Sequence, residues 1–304
     1  MSADAAAIQP LAFRMLIDEA MKLTRRHFAA IYPSVAIPIS ALYALFPLVQ
    51  IRWMRSILGM RDPGAVSAST ILGGCLALVL TMLTIIAAHT LAQTATIAAG
   101  VDVLEGRRVE MGKSWRFVLG PRVLGTLILE WIAVAISFLF CFFPCIYVVL
   151  ALSLLSPVMA AEEQFGFAGI RRSGQLTRYN PHKSFLTHPK VKIFAFFCIG
   201  GMISWAVSFL VQLPFNITQQ ILTARSIASG QAADPAALLE KTLWLQIPST
   251  FLGSLATMAV TLYTSFGLVL LYFDLRRRKE GVDLEAAIDR IAGVGIPPPA
   301  VEPE

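Results

Sequence analysis

Residues 71–99, ILGGCLALVLTMLTIIAAHTLAQTATIAA, contain no Lys, Arg, Asp or Glu, and this stretch decides the fold class. About 20 apolar residues in a helix cross the hydrocarbon core of a bilayer, which is roughly 30 Å thick. A segment in lipid must satisfy its own backbone hydrogen bonds, and an α-helix does so. The stretch therefore predicts a transmembrane helix.

Apolar stretches of similar length recur along the chain. Of the 304 residues, 56% are apolar and only 14% are charged, whereas roughly a quarter are charged in an average soluble domain. Pro144 follows the third stretch and begins the fourth, so these two are expected to form a tight hairpin. The sequence predicts an all-α, polytopic transmembrane helical bundle with about six spans, at residues 28–51, 71–99, 120–142, 144–162, 193–214 and 247–273.

The positions of the basic residues predict the orientation of this bundle. Of the 25 Lys and Arg residues, twenty fall in the two terminal segments and in the second and fourth connections, and five fall in the other connections. Cytoplasmic loops are enriched in Lys and Arg, so both termini are expected in the cytoplasm. The net charge of +6 then follows from topology, and the expected partner is the lipid bilayer rather than nucleic acid.

Three regions are expected along the chain. Residues 1–27 are predicted to form a cytoplasmic amphipathic helix that lies in the membrane interface, because apolar residues recur there at helical spacing. Residues 28–275 form the six-span domain, and residues 276–304 form a basic segment with a disordered, proline-rich tail. Residues 111–119 and 164–178 resemble the first helix, which suggests a unit repeated three times: an interfacial helix, a span out and a span back.

Several residues carry smaller structural expectations. The four cysteines, Cys75, Cys141, Cys145 and Cys198, lie in apolar stretches without His or Asp at metal-ligand spacing, so they are expected to be small core residues. Gly200 and Gly201 are expected to let two helices approach closely. Asp234 and Pro235 are expected to cap and begin a short helix on the outer side.

Ionisable groups within a span are costly and call for an explanation. Glu130 and His89 each lie about ten residues from the cytoplasmic end of their spans, so a contact between them is geometrically permitted, at a depth of roughly 15 Å. Gln93 and Thr96 continue the His89 face at helical spacing. This polar set predicts either a path for protons or solutes or hydrogen bonds that only join helices, and the second explanation is the more common one.

A second set of charged residues lies at the cytoplasmic boundary, near Glu162. These residues can pair with one another, contact anionic lipid headgroups or contact a partner protein. Topology alone also places basic residues there. The candidates for lipid or partner contacts are Arg171, Arg172, Arg178, Asp274 and Arg276.

Two passages of the chain match a known family pattern. The first runs from Pro144-Cys145-Ile146-Tyr147 through Ser156-Pro157 and Glu162-Glu163 to Arg172-Ser173 and Leu176-Thr177-Arg178; the second is Leu271-Tyr272-Phe273-Asp274-Leu275-Arg276 with Arg278-Lys279-Glu280-Gly281. Together they resemble the bacterial membrane proteins called glycerophosphoryl diester phosphodiesterase membrane-domain-like. Cys145 departs from the glycine usual in that family. The resemblance implies a bacterial inner-membrane protein without the catalytic domain, because none of the four histidines is followed by Arg.

No nucleotide-binding glycine loop, metal signature or nucleophile elbow occurs in the sequence. An enzyme is therefore not expected, and no cofactor is predicted. Two function classes remain open. One is a non-enzymatic component that organises the envelope or partners another membrane or signalling protein, and the other is a transport protein with a polar path near His89 and Glu130.

Overall fold

The computed structural model describes residues 13–58, 68–140, 142–178, 188–228 and 235–280, which are entirely helical apart from short connections. Six helical stretches within them are long and apolar enough to cross a membrane. The predicted all-α membrane bundle is thereby confirmed. The helices are α1 (Phe13–Leu58), α2 (Ala68–Leu104), α3 (Met111–Val118), α4 (Pro121–Phe140), α5 (Phe142–Leu152), α6 (Leu155–Glu162), α7 (Gly166–Thr177), α8 (Pro189–Ala228) and α9 (Pro235–Glu280).

Helix α9 is the centre of the bundle. It packs against α1 along much of its length, against α8 and α2, and near its end against α6 and α7. In its most apolar stretch 72% of the residues are buried, whereas the corresponding value is 11% for α2 and 17% for both α4 and α8. The most apolar stretch of α9 is less apolar than those of α2, α4 and α8, so apolar character alone does not predict which helix is buried.

Small residues bring α8 and α9 together. The ring of Phe196 lies where a Cβ atom of Gly267 would be, and the methyl group of Thr264 lies against Gly200. The hydroxyls of Ser208 and Thr257 are 2.9 Å apart across the same pair of helices. Close approach through small residues is how helices associate in lipid, where no hydrophobic effect drives them together. The predicted packing role is confirmed for Gly200, whereas Gly201 is exposed.

The largest buried cluster lies at one end of the bundle, which we call the basic end. There α1 begins and α9 ends in Arg276–Lys279. Leu16 and Ala20 of α1 are buried in this cluster together with Leu271 and Tyr272 of α9. Residues from α2, α6, α7 and α8 complete it, so most of the chain meets at the basic end.

The structure differs from the prediction at the amino-terminal segment. Residues 13–27 do not form a separate interfacial helix, because they are the first part of α1. The apolar face that suggested an interfacial helix is instead covered by α9. Helices α3 and α7 are separate, as predicted. Gly106 precedes α3 and Gly166 is the first residue of α7, and they have positive φ angles of 73° and 62°. Residues 1–12 and the predicted tail from residue 281 lie outside the described residues.

Two further expectations need correction. The short outer helix predicted from Pro235 is continuous with the sixth span, since α9 runs unbroken from Pro235 to Glu280. The cysteines are not core residues as a group: Cys75 and Cys198 are exposed, and Cys145 is partly exposed. Cys75 lies on an exposed face of α2, Cys198 on an exposed face of α8 and Cys145 on α5. Cys141 lies outside the described residues.

Helices α4 and α5 form the predicted hairpin at the edge of the molecule. They pack against each other and against α7, and neither has an extensive contact with α1 or α9. Val123 and Leu127 of α4 are buried against Leu155 and Met159 of α6. Further along α4 the side chains become exposed, so only the base of the hairpin is anchored in the bundle.

Candidate functional site

The carboxylate of Glu162 is the centre of a polar cluster at the basic end. Arg172 donates through Nε to Oε2 at 2.7 Å and through Nη2 to Oε1 at 2.9 Å. The hydroxyl of Tyr272 donates to Oε1 at 2.6 Å. The Glu162 side chain is only 7% exposed. Since paired geometry and additional hydrogen bonds are what make a buried ion pair tolerable, we call these three residues the Glu162 clasp.

Local backbone geometry brings the members of the clasp together. Glu162 is the last residue of α6, and Glu163 after it has a left-handed conformation with φ 53°. Gly166 also has a positive φ and begins α7. The chain therefore reverses within four residues, and α7 returns past α6, which places Arg172 beside Glu162. Tyr272 comes from the central helix α9 and is fully buried.

The end of α9 adds a second layer of contacts. Arg276 lies with Nε 3.8 Å from Oε1 of Glu162, and its Nη1 donates to the Tyr272 hydroxyl at 3.5 Å. Arg278 and Asp274 form an ion pair with Nε 2.9 Å from Oδ2. Lys279 donates to the backbone carbonyl of Gln175 in α7 at 2.7 Å. Of these contacts, that of Lys279 joins α9 to α7 and that of Arg276 joins α9 to α6, while the others lie within α9.

The candidate residues for lipid or partner contacts divide into two groups. Arg172, Asp274 and Arg276 take part in contacts within the protein. Arg171 and Arg178 have exposed side chains. Sequence reasoning identified the charged residues but missed Tyr272, and the only signal was its position two residues before Asp274 in the quoted carboxyl-terminal passage.

The intramembrane candidates are not brought together. His89 lies on α2 and Glu130 on α4, and these two helices have no extensive contact. Among the described residues, no hydrogen bond or ion pair joins Glu130 to His89, and Nδ1 of His89 is buried without a hydrogen-bond partner. Gln93 is partly buried on the same helix. The permitted Glu130–His89 contact is therefore absent from this conformation of the described residues.

Thr96 has a local role. Its hydroxyl donates to the Ala92 carbonyl of its own helix at 2.8 Å. It also lines a cavity of about 10 Å³ between α1, α2 and α9, together with Tyr32 and Thr261. A cavity of that size holds about one water molecule. On the polar face of α2, Thr96 therefore forms a hydrogen bond within its own helix and borders a space that fits about one water molecule.

The fourth span is broken, which sequence reasoning missed. Helix α5 ends at Leu152 and α6 begins at Leu155. Pro157 explains the break, because it has no N–H to donate to the carbonyl of Ser153 four residues earlier and its ring would clash with that carbonyl. The dipeptide Ser156-Pro157 was visible in the sequence, but a proline alone could not have located the break, because α1, α8 and α9 contain internal prolines and remain continuous.

Hydroxyl groups from neighbouring helices surround the break. Ser173 of α7 is fully buried, and its hydroxyl donates to the Ala151 carbonyl at 2.7 Å. Thr94 of α2 and Ser156 of α6 have their hydroxyl oxygens 3.2 Å apart. Backbone groups released inside a membrane protein must find such partners. The break is therefore a stable feature of the bundle.

Comparison with known proteins gives no assignment. No family model matches the chain, and neither a curated protein nor a solved structure matches it.

Proposed function

We propose that this protein is a non-enzymatic component of the bacterial inner membrane, which organises the envelope or partners a signalling protein through its basic end. In this proposal both termini and the basic end face the cytoplasm, as the distribution of Lys and Arg predicts. The resemblance to phosphodiesterase membrane-domain-like proteins forms part of the proposal, because it implies the same location without a catalytic domain.

The observation that carries the proposal is the Glu162 clasp. Its carboxylate already accepts three hydrogen bonds, so it serves packing rather than proton transfer or substrate binding. It fixes α7 against α6 and α9, and α7 presents Phe167, which is 76% exposed, next to the exposed Arg171. Exposed aromatic and arginine side chains on a rigid element are typical of the central part of protein interfaces.

Photo-crosslinking in native membranes tests this proposal. A photoreactive amino acid in place of Phe167 is expected to give an adduct with one protein of defined mass, because α7 faces the partner. The same group in place of Trp205, which is 72% exposed on α8, is the matched control and is expected to give lipid adducts.

The crosslink is also expected to depend on the clasp. Arg172→Leu should reduce the yield at Phe167 several-fold, since α7 then loses its anchor to Glu162. Lipid adducts alone at Phe167 in the otherwise unchanged protein would overturn the proposal.

A transport function is the second candidate, and the broken fourth span favours it. Discontinuous helices line substrate and ion sites in many transporters. Here the Ala151 carbonyl at the break accepts a hydrogen bond from the Ser173 hydroxyl, and the hydroxyls of Thr94 and Ser156 lie 3.2 Å apart. The Glu130 carboxylate lies on the neighbouring helix α4.

Proteoliposomes distinguish the two candidates. Proton uptake driven by a potassium diffusion potential is measured for the unchanged protein, for Glu130→Gln and for the control Glu110→Gln, whose side chain is exposed beside α3. Transport predicts uptake that only Glu130→Gln abolishes while the protein remains folded and inserted. Proton uptake at the background rate in the unchanged protein and in both variants would rule out the transport function.

A further inference from the structure

Four exposed arginines lie where an apolar span begins. Arg25 and Arg26 of α1 precede residues 28–51, which contain no Lys, Arg, Asp or Glu. Arg122 is the second residue of α4, whose 20 residues have the length of one crossing of the hydrocarbon core. Arg116 lies six residues earlier, on α3. We therefore expect all four side chains at the depth of the lipid headgroups.

Helix α3 is held at this depth by its apolar side chains. Met111 and Trp115 pack against the buried cluster of α1, α2 and α9, whereas Phe117 packs against the cluster of α4 and α6. The backbone N–H of Gly120 donates to the Phe117 carbonyl at 3.1 Å, so the turn into α4 is tight. Helix α3 therefore joins two parts of the bundle and keeps Arg116 close to the start of α4.

Most carboxylates of the neighbouring segments already pair with other cations. Their ion pairs are Glu19 with Lys22, Glu110 with Lys113, and both Asp102 and Glu105 with Arg107. Within the part of the chain that the structure describes, no ion pair or hydrogen bond is formed by the side chains of the four arginines, and the exposed carboxylates of Asp18 and Glu163 do not pair with them. The four guanidinium groups are therefore surplus positive charge at one depth.

An exposed apolar side chain accompanies each pair of arginines. Leu119 lies in the turn between α3 and α4 and is 56% exposed, and Phe28 follows Arg26 by two positions and is 37% exposed. Phe28 stacks on Tyr32 with the ring centroids 4.4 Å apart. Cations beside apolar side chains at a membrane boundary match a phospholipid, which carries its phosphate next to its acyl chains. Free phosphate would contact the arginines alone.

We propose that Arg25, Arg26, Arg116 and Arg122, which we call the arginine girdle, bind the headgroups of anionic phospholipids at the membrane boundary. A guanidinium group donates two parallel hydrogen bonds to phosphate oxygens, which a lysine ammonium does not do. None of the four is among the residues for which charge and position in the sequence suggested lipid contacts. The proposal requires a membrane around the helices and no partner protein.

Spin-labelled lipids test this proposal with the full-length protein reconstituted in phosphatidylcholine. The spectra separate lipid held at the protein surface from bulk lipid, and the held fraction is compared for labelled phosphatidylglycerol and labelled phosphatidylcholine. We expect a preference of about threefold for phosphatidylglycerol, because basic residues near the surface attract anionic lipid. The fourfold variant Arg25→Gln, Arg26→Gln, Arg116→Gln, Arg122→Gln should lose this preference.

A second fourfold variant with the same net charge is the matched control. It replaces four exposed arginines outside the girdle by Gln: Arg14, Arg171, Arg178 and Arg225. The control is expected to keep the preference of the unchanged protein. An equal loss in both variants would show a general attraction by basic residues and would overturn the proposal. Equal retention in both variants, or no preference in the unchanged protein, would overturn it as well.

Two further measurements complete the test. The double variants Arg25→Gln, Arg26→Gln and Arg116→Gln, Arg122→Gln should each lose part of the preference, which keeps the test decisive if the fourfold variant does not reconstitute. Inorganic phosphate added at constant ionic strength should leave the preference unchanged. Its loss would assign the site to free phosphate and would overturn the proposal. The crosslink at Phe167 is measured separately, so failure of the proposed function and failure of this inference are distinguishable.

Discussion

The α4–α5 hairpin is built from more apolar sequence than the central helix α9, yet the protein buries less of it. In α9, 72% of the most apolar stretch is buried by protein, whereas in α4 the value is 17%. The helices of the bundle are joined by close contacts at glycines, by hydrogen bonds between hydroxyls and by the Glu162 clasp. The hairpin contacts the protein mainly at its base and leaves Phe138, Leu139 and Phe140 exposed. Apolar character therefore predicts insertion into lipid but not packing within the protein.

Removal of one partner of the clasp is expected to have the largest effect in the bundle. Arg172→Leu leaves the buried Glu162 carboxylate without its two-pronged donor, and loss of one partner of a buried pair costs about 3–5 kcal/mol. The unfolding free energy is measured by denaturant titration in detergent. Arg171→Gln, at an exposed neighbouring position, is the control and is expected to change little.

A double-mutant cycle sharpens this prediction. If the clasp acts as a unit, the double variant Glu162→Gln, Arg172→Leu should lose less unfolding free energy than the sum of the losses in the two single variants. Additive losses would show that Glu162 and Arg172 contribute independently, which contradicts the proposed anchor for α7.

Overpacking between α8 and α9 is expected to have the next largest effect. In Gly267→Ala the new methyl group overlaps the Phe196 ring, and adding a methyl group to a close-packed site costs about 1–3 kcal/mol. Gly201→Ala is the matched control, because nothing lies within 4 Å of its added Cβ atom. Equal stability of the two variants would indicate that α8 and α9 are not in close contact.

Loss of the hydroxyl at the broken span is expected to have a smaller effect. Ser173→Ala removes the donor to the Ala151 carbonyl, and a single hydrogen bond contributes about 0.5–1.5 kcal/mol. Hydrogen exchange at the α5–α6 junction is expected to accelerate at the same time. Ser137→Ala is the control, because its hydroxyl donates only to the Ala133 carbonyl of its own helix at 2.7 Å. An equal loss of stability in Ser137→Ala would show that the Ser173 hydrogen bond at the break contributes no more than a hydrogen bond within one helix.

Truncation at the hairpin tip is expected to have the smallest effect on stability. Leu139 is 84% exposed, and exposed positions away from packing or capping features change stability by about 0.5 kcal/mol or less. Leu139→Ala is compared with Leu268→Ala in α9, where the side chain is 1% exposed and a loss of about 2–5 kcal/mol is expected. Similar losses at the two positions would remove the distinction between the bundle and the hairpin.

The sequence predicted the candidate site only in part. Charge marked Glu130 and His89 as a pair, but residue depth along a span does not say which helices pack together, and α2 and α4 have no extensive contact. Charge also marked Arg172, Asp274 and Arg276. It could not mark Tyr272, because its role depends on a hydroxyl from α9 meeting the Glu162 carboxylate of α6. The amphipathic start of α1 was correctly identified as helical, but α9 rather than the membrane interface covers its apolar face.

The sequence by itself determined that this chain is helical and lies in a membrane, because long apolar stretches cannot be covered by its few polar residues and must satisfy their own backbone in lipid. It also determined where the basic residues collect. Only the tertiary structure decided that α9 is central, that the fourth span breaks under α7 and that Glu162 pairs with Arg172 and Tyr272. In lipid an apolar surface is equally well solvated by acyl chains or by another helix, so hydrophobicity does not choose neighbours; local fit and hydrogen bonds do.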